Sequence, residues 1–202
     1  MLFWVYTFTF SIGRFFKQIN QTKKHSKRKE REMNKELLEK IGKVVPEEKL
    51  RALLDEWDPI IHVDRTARPV YPDFVKEVKY PELELTGPAE FDVTKLERWL
   101  HPKQIGGYAT GNEIHEELIA KKMLEGCLNL ADLQAIQVKD IGFFRKHSSR
   151  KAIPAWKSVV LDRDDHLYVP YLYEYGDGVE LVWRWLGSNF HSDDPALRFP
   201  QG

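Results

Sequence analysis

The sequence predicts an α+β protein: a helical N-terminal two-thirds packed on a C-terminal three-stranded antiparallel β-meander. Three observations lead there. Up to residue 147 apolar residues recur at helical spacing, as in Leu50, Leu53, Leu54 and Trp57 at i, i+3, i+4 and i+7. From Ala155 the period drops to two, the signature of strands. Turn-forming clusters at Asp162–Asp165 and Gly176–Gly178 divide that region into three apolar runs. The expected division is 1–32 as a leader or basic tail and 33–202 as one α+β domain, helical over 33–147 and a meander over 155–190.

Met1 to Phe16 is almost wholly apolar, and Lys17 to Glu32 is charged and mostly basic. Thirteen residues precede the first charge, Arg14, whereas a spanning helix needs roughly 20. A secretory signal carries its positive charge before the apolar stretch, not after it. Lys29-Glu30-Arg31-Glu32 can be encoded almost entirely by A and G, as a ribosome-binding site would be. Met33 is therefore the expected start, with 1–32 a translated leader. A membrane-surface anchor and a disordered tail are the alternatives.

Met33–Lys43 and Pro46–Trp57 read as helices, the second with Pro46 at its first position and Glu47 and Glu48 at the positive end of its dipole. Asp58-Pro59 ends it. Ile60–Pro88, rich in proline, reads as extended segments and turns. Asp92 is placed to cap a helix over Val93–Leu100, which His101-Pro102 ends. Thr110 and Glu113 form a capping box before a helix that runs to Gly126. Asn129 caps a further helix with Leu130, Leu133 and Ile136 on one face, and Asp140–His147 adds a turn or two. Trp156–Leu161, Leu167–Tyr175 and Val179–Leu186 are the expected strands. A three-residue loop, Gly176-Asp177-Gly178, sets Tyr175 opposite Val179, Tyr173 opposite Leu181 and Tyr171 opposite Trp183. That register gathers the large residues on one face. Pro170 is expected to break or bulge the second strand.

Residues 1–32 hold eight Lys+Arg and two Glu; the remainder holds 23 basic against 29 acidic residues. An acidic domain is a poor general nucleic-acid binder, and a single cysteine, Cys127, fits a reducing, cytoplasmic setting with no disulfide. No cofactor motif is present: no phosphate loop, dinucleotide fingerprint or nucleophile elbow. His115 begins His-Glu-Glu-Leu-Ile, which lacks the second histidine of a zinc protease, and it is expected on an exposed face. His62 and Asp64, at i and i+2 of an extended segment, are the weak candidates for a metal site. Asp162, Asp164 and Asp165 read as a polar turn, and His191-Ser192-Asp193-Asp194 as another.

The basic stretch Phe143–Lys151 stands out in this acidic background. Arg145, Lys146, Arg150 and Lys151, with Lys157 beyond them, are candidate contacts for nucleic acid or for a protein. Trp156, Tyr168 and Phe190 are the aromatics left for a surface role.

Ala155-Trp156-Lys157-Ser158-Val159-Val160, Leu167–Leu172, Trp183-Arg184-Trp185-Leu186 and Pro195–Phe199 together resemble a group of small bacterial hypothetical proteins over roughly residues 90–200. The resemblance implies a bacterial origin and brings no activity with it. The expected function is a non-enzymatic cytoplasmic binding module for protein or nucleic acid, acting through 143–157 and the rim of the sheet. The alternatives are a small metal-assisted hydrolase using His62 and Asp64, and a self-assembling structural subunit.

Overall fold

The computed structural model describes residue 48 and residues 58–148 and 151–200. The expected leader, the helices expected over 33–43 and 46–57, and Arg150 lie outside those residues. Among the described residues the chain forms eleven strands and three α-helices of eight to ten residues. The expected helical two-thirds is thereby overturned: strands and turns carry the chain from residue 58 to residue 110. No helix among the described residues is long and apolar enough to cross a membrane.

Strands β2 (Val75–Val78), β6 (Ile153–Pro154), β7 (Val160–Asp162), β8 (Leu167–Tyr175) and β9 (Gly178–Trp185) make one five-stranded sheet. β9 lies along the whole of one edge of β8, while β7 and β6 share the other edge. Three short ladders close the surrounding loops. They pair β1 (Ile60–His62) with β3 (Glu90–Asp92), β4 (Glu97–Trp99) with β11 (Ala196–Arg198), and β5 (Ala109–Thr110) with β10 (Asn189–Phe190).

The helices are α1 (Gly111–Ala120), α2 (Leu130–Gln137) and α3 (Ile141–Ser148). The expected capping box forms at α1, where Thr110 and Glu113 exchange side-chain and backbone hydrogen bonds, and the Asn129 cap at α2 is a box as well, completed by Asp132. α1 stops at Ala120, short of Gly126, because Lys122 turns into the left-handed region (φ 54°) and a 3-10 turn follows at Leu124–Gly126. Asp92 does cap, accepting from Thr94, but it opens only the 3-10 turn Val93–Lys95. The chain then extends, since pairing β4 with β11 satisfies more backbone groups than another helical turn would.

The register of the last hairpin also differs from expectation. The turn has two residues, Gly176 and Asp177, with Gly176 at φ +59° as the first central residue, a position that favours glycine. Tyr173 therefore faces Glu180, Tyr171 faces Val182 and Pro170 faces Trp183. Tyrosines 171, 173 and 175 fall on one face of the sheet; Trp183, Trp185 and Leu181 fall on the other. Both faces are covered, so neither needs to be polar. Val169 and Tyr171 pack with Ile114 and Leu118 of α1 and with Trp156 and Phe190. Leu172 and Ile153 pack with Leu133 and Ile136 of α2 and with Phe143 and Phe144 of α3. Burying each phenylalanine of α3 contributes about 2–3 kcal/mol.

Pro170 does not break β8. Its carbonyl accepts from Ala155 on the β6 side, so its missing N–H faces that same side, where β7 gives way to β6. Trp156–Ser158, expected as the start of a strand, is a 3-10 turn between them.

Candidate functional site

The expected basic patch does not form one surface. Phe143 and Phe144 point inward and hold α3 against the core. Arg145 turns toward the last hairpin, bonding Glu174 (2.8 Å) and the Gly176 carbonyl (3.4 Å). Lys146 is half-buried. Lys151 reaches the carbonyl of Ser192 (3.4 Å). Lys157 is in the interior, with its ammonium on the Thr86 hydroxyl (3.2 Å) and over the Phe199 ring. Trp156 and Phe190 are wholly buried, so the surface role expected of them is withdrawn. Tyr168 is half-buried, edge-on to Phe74.

What the fold does build near α3 is an apolar pocket. Leu96, Ile136, Phe143, Phe144, Ile153 and Leu197 wall it, and Arg98, His147 and Lys151 stand around it. Its volume is ≈ 30 Å³, room for more than one water or for a small side-chain tip. The walls come from the turn after β3, from α2, α3, β6 and β11, and Arg98 comes from β4. His147 lies against Phe143, with ring centres 4.5 Å apart. Arg98 is exposed on β4. Arg98 and His147 were not singled out from the sequence for this role. Residues 98 and 147 are brought together only by the β4–β11 ladder, and no local spacing announces that.

A second cluster is buried and charged. Asp132, inaccessible to solvent, pairs with Arg65. Asn129 accepts from Arg65 and donates to the carbonyls of Leu83, Glu84 and Thr86. Burial raises the Asp132 carboxyl above its ordinary range, opposed by the Asn129 backbone bond and by Arg65. Burial lowers the Lys157 ammonium, opposed by Asp132. Glu84 is 2 % exposed, and burial raises it too. The Tyr71 and Ser158 hydroxyls stand close enough to favour its charged form, though neither oxygen has a partner at hydrogen-bonding geometry. The cluster's evident work is to bind the irregular 64–88 segment to the N-terminus of α2, where a carboxylate suits the helix dipole. Asn129 was legible as a helix cap; the role of Asp132 and the tertiary partners of both were not.

Of the metal candidates, His62 is exposed beside Glu90 (3.4 Å). Asp64 accepts from the backbone and hydroxyl of Thr66 (2.8 and 2.6 Å). Those bonds hold the Asp64 carboxyl below its ordinary value. Among the described residues the one group of three metal-ligating side chains is elsewhere, at Asp162, Asp164 and His166. Asp162 there accepts from the backbone of Asp164 and His166, as a polar turn requires. His115, expected outside, is 6 % exposed and bonds Tyr80 (2.9 Å) while stacking on Trp156.

Comparison with protein-family models, with curated proteins and with solved structures finds no match. The C-terminal resemblance accordingly brings no residue role to either cluster.

Proposed function

We propose that this chain is a non-enzymatic cytoplasmic binding module. Its partner is a protein segment that offers an apolar side chain flanked by carboxylates. The observation that carries the reading is the pocket beside α3, apolar within and bordered by Arg98, His147 and Lys151. A small apolar side chain removes its surface from water there, while Arg98 and Lys151 select acidic neighbours and steer the encounter. The enclosed volume suits a side-chain tip and not a cofactor. Nucleic acid is the weaker reading because Phe143, Phe144 and Trp156, the aromatics nearest the cations, are buried and cannot stack on bases. The hydrolase reading loses ground because His62, Asp64 and the neighbouring Glu90 do not gather into a group of three ligands among the described residues.

The test is fluorescence anisotropy with labelled acidic peptides bearing one Leu, one Ala or one Lys at the centre, and with a single-stranded oligonucleotide. The Leu peptide binds best. Filling the pocket by Ala152→Leu, or removing its cations by Arg98→Ala with Lys151→Ala, weakens it about tenfold. Equal binding of the three peptides, or oligonucleotide binding that those cation variants abolish, removes the proposal.

A further inference from the structure

Among the described residues β9 is an edge strand, and its outer edge is self-complementary. The Leu186 N–H donates to the Leu167 carbonyl (2.8 Å). Parity then turns the backbone groups of Gly178, Glu180, Val182 and Arg184 toward β8 and those of Val179, Leu181, Trp183 and Trp185 away from it. The two ends of that outward row are already engaged. The Val179 carbonyl accepts from the Gln137 side chain (3.3 Å) and the Trp185 carbonyl from Ser188 (3.0 Å). Between them, the N–H and C=O groups of Leu181 and Trp183 have no partner among the described residues. Edge strands are commonly blunted by proline, a bulge or an inward charge. β9 has no proline, and its pairing with β8 runs without a register shift.

We propose that β9 pairs antiparallel with β9 of a second copy of this chain, about a twofold axis through Val182. In that register Leu181 meets Trp183 of the second copy, and the two exchange both backbone hydrogen bonds; the symmetric pair does the same. Glu180 meets Arg184 of the second copy, and Arg184 meets its Glu180, so opposite charges face each other twice on one side of the joined sheet. On the other side Val179 meets Trp185 of the second copy, extending the apolar surface that already holds Trp183 against Tyr71 and Phe74. A one-residue slip sets Glu180 against Trp183 and loses both charge pairs. Self-complementarity of this kind is what a closed twofold interface needs. It also favours a second copy over an unrelated peptide, for which the placement of Glu180 and Arg184 around Val182 has no significance.

The full chain is followed by sedimentation velocity over a concentration series, together with oxidative cross-linking. Val182 lies in a non-hydrogen-bonded pair with itself, at a Cα separation of about 4.5 Å, within reach of a disulfide. Val182→Cys forms a covalent dimer. Glu180→Cys does not, because its own equivalent lies about 13 Å along the partner strand. The one native cysteine, Cys127, is inaccessible and does not interfere. Glu180→Arg weakens the dimer about tenfold by turning two attractions into two repulsions. Adding Arg184→Glu restores it. A chain that stays monomeric and does not cross-link at Val182 overturns the proposal and assigns the edge to another occupant, such as the chain's own N-terminal residues. Cross-linking at Glu180 as readily as at Val182, or a dimer indifferent to Glu180→Arg, overturns the register and with it the argument.

Discussion

Acidification should destabilise this protein through one histidine. His115 sits on α1 with 6 % of its surface exposed. Its Nε2 is 2.9 Å from the Tyr80 hydroxyl, and its ring is stacked on Trp156. Burial, and then the nearby Lys79 ammonium, push its pKa from 6.5 down to about 4. In the unfolded chain the imidazole takes up a proton near pH 6.5; in the folded protein it does not until about pH 4. Between those values the unfolded state binds more protons, so stability falls as pH falls. The contribution is complete above pH 6.5 and gone below pH 4. At 1.36 kcal/mol per unit, it amounts to about 3 kcal/mol, a large share of an ordinary domain's stability. Glu84 and Asp132 act with the opposite sign, because burial raises them and protonation relieves its cost. His115→Gln keeps a polar group beside Tyr80 but cannot take the charge. Urea denaturation of both proteins from pH 7 to pH 4 isolates the term, since the carboxyl contributions are common to both and cancel in the difference. The wild type should lose about 3 kcal/mol more than the variant across that range. Parallel pH profiles, or a His115 ring that titrates near pH 6.5 in the folded protein by NMR, would refute the reasoning.

Three further outcomes follow from the packing. Gly111→Ala should destabilise by about 1–3 kcal/mol in thermal unfolding, against the usual gain of replacing glycine in a helix. The added methyl carbon would stand 2.8 Å from the Cα of Leu186 and from the Phe190 ring. Asn129→Ala should cost about 2–4 kcal/mol by urea denaturation, more than the ~1 kcal/mol expected for Thr110→Ala. It strips a partner from Arg65 and from three carbonyls as well as removing a cap; equal costs for the two would show that the tertiary bonds contribute nothing. Cys127 should resist thiol reagents until the protein unfolds, since it is inaccessible and its thiol is pushed up to about 12.

Features that close on themselves within a few residues were legible in the sequence. The capping box at Thr110, the cap at Asn129 and the turn of Asp162 need only neighbours along the chain, and each forms as the spacing predicts. The segment after Asp92 shows where that reach ends. Its cap forms, yet the helix stops after one 3-10 turn because Glu97–Trp99 finds a ladder partner about a hundred residues away. The pocket belongs to the same class. Phe143 and Phe144 could be read as anchors for α3, but Arg98 joins them only through that distant ladder.

The hairpin register went astray for a reason that also bears on function. An alternation argument assumes one buried face and one wet face. β8 has helices and loops packed on both sides, so Val169 and Tyr171 on one face and Leu172 on the other are equally buried. With both faces apolar, hydrophobic pattern no longer selects between registers, and the turn decides. Gly176 supplies the positive φ of a two-residue turn. The consequence is specific. The expected register would have set Tyr171 and Trp183 on one face; the observed one sends Trp183 to the opposite face beside Phe74 and Tyr71. It also places Glu180 and Arg184 together on the tyrosine face, two residues either side of Val182. Glu180 and Arg184 stand either side of Val182 in any register, but which backbone groups of β9 turn outward is set by the turn. A variant that changes the loop length should alter association and the burial of Trp183 together, which tryptophan fluorescence and sedimentation can follow on the same sample.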